Sequence, residues 1–434
     1  MPTIFAPITA PLKSGISVIR ISGTATIECL KILGFKGAPQ HQKVSLQKIR
    51  DPKTSELIDE VLISFFQSPH SFTGEDVAEI SIHASPFIAR KVFAILLEQK
   101  NCRFAEAGEF SKRAFLNNKL DLVQAEAIPD LISAETAAQH RQALQQLEGS
   151  LGKIYEDWRF RLIEISAMIE AAIDFPDEDL PENITNQVEA SVKKLSREIT
   201  EHLDDKKIGE KIKEGLNLAI IGAPNVGKSS LINFLAQSEV AIVSEIAGTT
   251  RDVVETHLSI SGVAVKISDT AGLRETTDKI EAEGIRRALK KAQDADLKIF
   301  LIDAANPILR PDLIDENTLV VVNKIDSAAL AKDFSDYLCI SLTNNTNTSQ
   351  LLEKLAEKIS EMIPVQNSPM ITQERYRVAL KNCVENLKNF SLDKNIELAS
   401  EDLRMTAREL GKITGKIDIE NLLDVIFSRF CIGK

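Results

Sequence analysis

The residues best equipped for chemistry lie in the middle of the chain. Gly222-Ala-Pro-Asn-Val-Gly-Lys-Ser229 has the G-x-x-x-x-G-K-[S/T] spacing of a phosphate-binding loop. Its glycines let backbone N–H groups converge on phosphate oxygens, its lysine reaches the β and γ groups, and its terminal hydroxyl suits Mg²⁺. The apolar run Leu216-Asn-Leu-Ala-Ile-Ile221 precedes it and Ser230-Leu-Ile-Asn-Phe-Leu235 follows. That predicts a strand, a loop and a helix whose N-terminus faces the anion, a context that a chance glycine-rich turn lacks. Downstream, Asp269-Thr-Ala-Gly272 closes the strand-like Val263-Ala-Val-Lys-Ile-Ser268. There a carboxylate can hold the Mg²⁺ shell and a glycine N–H can sense the γ-phosphate. Leu319-Val-Val-Val-Asn-Lys-Ile-Asp326 reads as a buried strand ending in N-K-x-D, whose aspartate can accept the N1–H and 2-amino donors of guanine. Adenine lacks that donor pair. Ala247-Gly-Thr-Thr-Arg-Asp252 stands between, offering Thr250 to the metal. Four elements in this order predict a GTPase.

The elements that must position these groups are legible in the periodicity. Residues 1 to about 118 alternate short apolar runs, such as Ile16-Ser-Val-Ile-Arg-Ile21 and Val61-Leu-Ile-Ser-Phe-Phe66, with turn residues and a helical stretch from Ile88 to Leu97, as an α+β domain does. Leu144, Leu147, Leu151, Ile154, Trp158, Leu162 and Ile165 then recur at helical spacing, as do Val188, Val192, Leu195, Ile199 and Leu203. The breaker Phe175-Pro-Asp-Glu-Asp-Leu-Pro181 separates them. Helical stripes return in Tyr376, Leu380, Cys383 and Leu387, and in Leu403, Ala407 and Leu410, with Ser400 as a helix start. Neither helical block has an obvious partner for its stripe. The expected layout is therefore multidomain α/β and α+β: an N-terminal α+β domain over 1–118, a discontinuous helical domain over 119–213 and 365–434, and a Ras-like P-loop α/β domain inserted over 214–364.

Composition bounds the partners. A chain of 434 residues exceeds one comfortable core, and 44% apolar residues suit globular domains. Cys29, Cys102, Cys339, Cys383 and Cys431 show neither disulfide-framework nor zinc spacing, which predicts a reducing, cytoplasmic setting. No apolar run reaches the roughly 18 residues of a membrane span, and the N-terminus lacks a signal-peptide pattern. A formal charge of -11 argues against a broad basic surface for nucleic acid, leaving room for a local patch such as Lys206-Lys-Ile-Gly-Glu-Lys-Ile-Lys213.

This layout and its wording resemble the MnmE (TrmE) family of tRNA-modifying GTPases over essentially the whole chain. The likeness is carried by Val18-Ile-Arg-Ile-Ser-Gly23, Ser71-Phe-Thr-Gly-Glu-Asp-Val-Ala-Glu79, Ala107-Gly-Glu-Phe-Ser-Lys-Arg-Ala-Phe-Leu-Asn-Asn-Lys-Leu-Asp-Leu122 and the terminal Phe430-Cys-Ile-Gly-Lys434. The resemblance implies a homodimeric GTPase that joins an MnmG-type flavoprotein, which supplies FAD, in a heterotetramer or larger complex. Together they install an aminomethyl-type group at C5 of wobble uridine 34 in certain tRNAs. It further implies that the N-terminal domain binds a 5-formyl- or 5,10-methylene-tetrahydrofolate and forms the dimer, with Arg20, Glu79, Lys119 and Lys434 at the folate and Cys431 beside it. Two segments depart from the family wording, Lys13-Ser-Gly15 and His83-Ala-Ser85, where relatives usually carry more glycine.

At the nucleotide, the resemblance implies K⁺ held by Asn225, Ser244, Ile246 and Thr249 in place of an arginine finger, and Mg²⁺ held by Ser229, Thr250 and Asp269. Water would be oriented by Glu281, since Ala271-Gly-Leu273 lacks the glutamine many small GTPases carry there. Lys228 would act with it on the phosphates, and Cys431 is a candidate in the modification chemistry. The expected nucleotide-contact set is Asn225, Val226, Gly227, Lys228, Ser229 and Ser230; Ser244, Glu245, Ile246, Ala247, Gly248, Thr249 and Thr250; Asp269, Thr270, Ala271 and Gly272; Asn323, Lys324, Ile325 and Asp326; and Ser341, Leu342 and Thr343 as the backing loop. The competing reading is an Era- or Der-like GTPase switch in ribosome assembly. Such switches append a basic RNA-binding module or a second GTPase domain, and neither is visible in this acidic chain.

Overall fold

The computed structural model describes residues 1–10, 13–174, 182–238, 256–268, 293–328, 334, 336–364, 368–392, 396–417, 420–428, 430, 431 and 433. They form two compact units, one comprising Met1–Pro129, Leu147–Val192 and Asn386–Lys434, the other Asp130–Gln146 and Lys193–Glu385.

The first unit contains a six-stranded sheet built from β1 (Thr3–Pro7), β2 (Ile16–Ser22), β3 (Lys43–Arg50), β4 (Leu57–Phe66), β5 (Val77–His83) and β6 (Cys102–Phe104), in the order β3-β4-β5-β2-β1-β6. All pairs are antiparallel except β1 with β6. Period-two alternation sorts its side chains. Phe5, Ile19, Ile21, Ala78 and Ile80 join a core with helices α1 (Thr26–Ile32) and α2 (Pro86–Leu97), while Ile4 and Ala6 pack with Phe110 of α3 (Glu109–Leu116). Ser85 caps α2 by accepting from Phe87 N at 3.3 Å, and Pro86 pre-sets its first turn.

Helices α4 (Leu122–Ile132), α5 (Ala137–Leu147), α6 (Ser150–Asp174), α7 (Glu182–Leu203) and α8 (Ile208–Glu214) follow. The apolar stripe that reads as continuous from Leu144 to Ile165 is broken in the structure at Gly149, where φ is +80°, so it is shared between α5 and α6. Within the first unit, α6 packs along α12 (Ile396–Thr414), burying Leu151, Tyr155 and Leu162 on one side and Leu403 and Leu410 on the other. Ser400 is a correction: α12 begins by Ile396, so Ser400 lies buried inside the helix rather than at its start.

The second unit holds β7 (Leu216–Ile221), α9 (Lys228–Gln237), β8 (Thr256–Ile260), β9 (Val263–Ser268), β10 (Leu297–Asp303), β11 (Thr318–Asn323), β12 (Leu338–Cys339) and α10 (Thr348–Met362). Strand order is β12-β11-β10-β7-β9-β8, parallel except for β8 with β9. Leu216, Leu218 and Ile220 face one core and Ala219 and Ile221 the other, the two-sided burial that a parallel sheet demands. The described residues thus show a mainly parallel sheet with a buried core on each face and the phosphate-loop segment at the end of β7.

In the same unit α5 is bolted to α8 by glutamines at helical spacing. Gln139 Nε2 donates to Lys213 O at 3.1 Å and Gln142 Nε2 to Gly209 O at 2.9 Å. Arg377, on α11 (Glu374–Asn389), is 4% exposed; it donates to Glu210 at 2.8 Å, to Asp205 at 2.8 and 3.1 Å, and to Leu203 O at 3.0 Å. The lysine patch is largely matched by acids, with Lys211 3.0 Å from Asp296 and Lys213 3.0 Å from Asp130.

Burial holds His202 below the ordinary imidazole value of 6.5, against the opposing charge of Asp205 and with the help of Arg377. Its neutral form therefore belongs to the fold: that stability is complete above pH 6.5 and is lost as pH falls below it. Arg377→Ala removes the buried partner of Asp205 and leaves Glu210 only its 3.7 Å pair with Lys207, and is expected to cost about 3 kcal/mol. Thermal unfolding at pH 8 and pH 5.5 checks both expectations; the variant should melt lower at each, and the parent should lose stability in acid.

Candidate functional site

The described residues among those expected at the nucleotide gather at the carboxyl edge of the parallel strands, where open α/β sheets place their ligands. Buried β7 delivers the chain to Gly222, whose φ is +155° and where a Cβ would collide with the carbonyl oxygen of Leu301 on β10. Gly227, at φ +103°, precedes α9, and a Cβ there would lie 2.5 Å from Asn323 Nδ2. Both glycines are thus required by close approach as well as by backbone angle. Lys228 folds back over the loop, its ammonium donating to Gly222 O at 2.9 Å and Ala223 O at 2.8 Å. Ser229 and Ser230 lie exposed in the first turn of α9, at the positive end of its dipole.

Asn323 binds this loop to the rest of the site. It ends β11 and is 3% exposed; its Nδ2 donates to Val226 O at 2.9 Å and its Oδ1 accepts from Leu342 N at 3.4 Å. Lys324, at φ +67°, reaches across to donate to Asn225 O at 2.6 Å and to Asp303 Oδ2 at 2.7 Å. Asp326 is exposed, and the buried Ser341 hydroxyl donates to one of its oxygens at 2.5 Å while itself accepting from Asn344 N at 3.1 Å. Ile325 N bonds to Ile340 O at 3.3 Å, setting the N-K-x-D turn against the 341–343 segment. Thr343 is exposed beside it. The structure therefore brings Asn225 through Ser230, Asn323 through Asp326 and Ser341 through Thr343 to one edge. Ser244, Glu245, Ile246, Ala247, Gly248, Thr249, Thr250, Asp269, Thr270, Ala271, Gly272 and Glu281 lie outside the described residues.

Asp303 is a member of this cluster that motif reading passed over. Its carboxyl is held below the ordinary carboxylate range, chiefly by the hydrogen bond from Lys324. A signal existed in the acid that terminates the apolar run Leu297-Lys-Ile-Phe-Leu-Ile-Asp303.

In the first unit, Arg20 and Glu79 are cross-strand partners in the β2–β5 register. Glu79 Oε1 accepts from Arg20 Nε at 2.9 Å and Nη2 at 2.8 Å. The guanidinium lies 5.1 Å from the Phe72 ring centre and 5.4 Å from that of Phe110, so a paired charge rests on an aromatic floor. Lys119 is exposed and donates to Pro69 O at 3.0 Å; no contact joins it to the Arg20–Glu79 pair among the described residues. Cys431 is exposed, and its carbonyl accepts from Gly108 N, immediately before α3, at 3.5 Å. Lys434 lies outside the described residues.

A buried ionic chain beside this floor was also not foreseen. Arg113, 2% exposed, binds Glu75 at 2.9 and 3.1 Å and Glu109 at 2.9 Å, and Ser22 reaches Glu75 at 2.7 Å. Burial raises the Glu109 carboxyl, but hydrogen bonds from Arg103, the Glu106 amide and Arg113 outweigh it and hold the group low.

Gly227→Ala is expected to abolish tight guanine-nucleotide binding while the protein still folds, because the added methyl meets the amide that closes the loop. Calorimetric titration with GDP, alongside circular dichroism, checks this; an affinity unchanged from the parent would refute the cradle geometry.

Residues 3–119 match the family described as GTP-binding protein TrmE N-terminus, and residues 122–431 match the MnmE helical domain. The chain is 47% identical over 445 residues to the tRNA modification GTPase MnmE of Rickettsia akari (strain Hartford), covering 100% of both sequences. It is 48% identical over 445 residues, with the same full coverage, to that of Rickettsia rickettsii (strain Sheila Smith). Among solved structures, a point variant of Aquifex aeolicus Era bound to GDP·AlF4⁻ is 24% identical over 39% of this chain and 66% of its own, with a TM-score of 0.26, too low to carry an argument. Two family patterns laid end to end, and near-half identity along the whole length, mean that the chain belongs to the MnmE (TrmE) family of tRNA modification GTPases.

Proposed function

We propose that the protein hydrolyses GTP in a potassium-dependent manner and couples that cycle to modification of wobble uridine 34 in tRNA. The observation that carries the nucleotide reading is Asn323, which ties the phosphate loop to the segment that buttresses Asp326. Asp326 is supported at one oxygen and exposed, as a carboxylate accepting the paired donors of guanine requires. The glycine cradle around Val226, tight enough to exclude a Cβ at Gly222 and Gly227, suits a phosphate chain.

Lys228 neutralises charge on the phosphates, and Ser229 offers its hydroxyl to Mg²⁺, with Thr250 and Asp269 as the other ligands. Mg²⁺, when bound, would neutralise charge on the phosphates. Asn225, exposed in the loop with an oxygen-bearing side chain, fits a hard monovalent cation, and Ser244, Ile246 and Thr249 complete the proposed potassium set. Glu281 orients the attacking water. Family membership supports these roles.

The domain reading is an N-terminal folate and dimerisation domain over 1–118, helical parts over 119–213 and 365–434, and the GTPase insertion over 214–364. The paired Arg20–Glu79 on its phenylalanine floor suits the polar edge and flat ring of a tetrahydrofolate, which supplies the one-carbon unit when bound. Lys119 and Lys434 are assigned to the same ligand, and Cys431 to the modification chemistry beside it. The complex comprises a homodimer and an MnmG-type flavoprotein acting in the cytoplasm. Among the described residues no helix is long and apolar enough to cross a membrane.

Nucleoside mass spectrometry of tRNA from cells lacking the protein is expected to show loss of the C5 aminomethyl-type group at wobble uridine; unchanged wobble uridines would favour an Era- or Der-like assembly switch. GTP turnover is expected to be several-fold faster in KCl than in NaCl at equal ionic strength. Equal rates would sink the potassium assignment.

A further inference from the structure

Asn225 occupies the left-handed region at φ +62°, a conformation that costs a residue bearing a Cβ free energy unless neighbours hold it. The neighbour here is Lys324, whose ammonium donates to the Asn225 carbonyl at 2.6 Å. A lysine head is a mobile, strongly hydrated charge and makes a poor post by itself. It is anchored by Asp303, the last residue of β10, whose Oδ2 accepts from it at 2.7 Å.

Asp303 is in turn held from two sides. Its Oδ1 accepts from Ala305 N at 2.9 Å, and its place in the sheet register lies opposite Asn323, whose carbonyl accepts from Ala304 N at 2.9 Å. The carboxylate therefore stands on rigid sheet and directs the lysine at one particular carbonyl of the phosphate loop. It also offsets the positive charge that the ammonium places beside Asn225, where a second cation would otherwise be repelled.

We propose that Asp303 is a positioning residue for the monovalent-cation arm of the GTPase site, fixing through Lys324 the backbone of Asn225 and so setting how tightly potassium is held. This rests on the reading of Asn225 as a potassium ligand.

The decisive variant is Asp303→Asn. The amide keeps an oxygen for Ala305 N but presents an N–H₂ donor to the ammonium, so the anchor is lost while the turn is kept. The full-length protein would be titrated with KCl at constant ionic strength against NaCl. One readout is the affinity for a fluorescent, non-hydrolysable GTP analogue; the other is GTP turnover. The expected result is a half-saturating potassium concentration raised at least about five-fold in both readouts, a larger change than any in the sodium-only values. Asp303→Glu, which retains the charge, should stay nearer the parent.

A parent that responds to potassium beside an Asp303→Asn protein with the same titration would overturn the inference alone. So would equal weakening in sodium and potassium with a lower melting temperature, the signature of a merely structural acid. A parent indifferent to potassium removes the assignment of Asn225, and the inference falls with it.

Discussion

A phosphate-binding loop works only if several backbone N–H groups are held pointing at one place, and glycine, which permits that geometry, cannot enforce it. In this protein the enforcement comes from the buried side-chain amide of Asn323, which spans from the Val226 carbonyl to the Leu342 amide. Both ends of that side chain are spent on the main chain of other segments, so Asn323 works as a brace while its neighbours Lys324 and Asp326 turn outward. Losing the brace would leave the buried Val226 carbonyl and the Leu342 N–H without partners, a larger penalty than the bond itself contributes. The N-K-x-D motif accordingly joins a structural residue pointing in to an exposed carboxylate supported from behind by Ser341.

The N-terminal candidate site follows a different logic. Arg20 and Glu79 face each other on adjacent antiparallel strands, alternating with apolar residues that feed the core on the other side of the sheet. Their charges rest against Phe72 and Phe110 rather than in open water, which lowers the cost of holding the pair in one conformation. In the same domain Arg113 is bound by Glu75 and Glu109, a largely buried chain with an arginine at its centre. Such chains are costly to bury and costly to break, so they specify one arrangement more than they stabilise it.

The described part of the proposed nucleotide site could be picked out from residue types because each proposed job demands particular chemistry at a particular spacing. Glycines must allow close backbone approach, a lysine must reach phosphate, and an acid must read guanine. Asp303 escaped that reading because an aspartate at a strand end has many uses, and nothing local says that Lys324 will fold toward it. Arg113, Glu75 and Glu109 escaped for the same reason: on spacing alone they are ordinary surface charges, and burial is a property of the assembled sheet and helix. The helical periodicity after residue 140 found the buried face of α6 in Leu151, Trp158, Leu162 and Ile165, but on α5 Leu144 and Leu147 are only partly buried while Gln142 and Gln146 are buried, and the stripe ran across Gly149, since a stripe can continue in sequence through a turn that the backbone breaks.

What the sequence by itself determined is the set of covalent constraints that no packing can alter: where glycine permits positive φ, where apolar period two or 3.6 commits a segment to strand or helix, and which functional groups stand at phosphate and guanine spacing. Tertiary structure alone decided which of many polar residues became partners. Asn323 with Val226, Lys324 with Asp303 and Asn225, Arg377 with Asp205 and Glu210, and Arg20 with Glu79 are all pairs distant in sequence. Hydrogen bonds and ion pairs act over about 3 Å, so their choice waits until sheet order and helix docking have brought the chain's remote segments within reach.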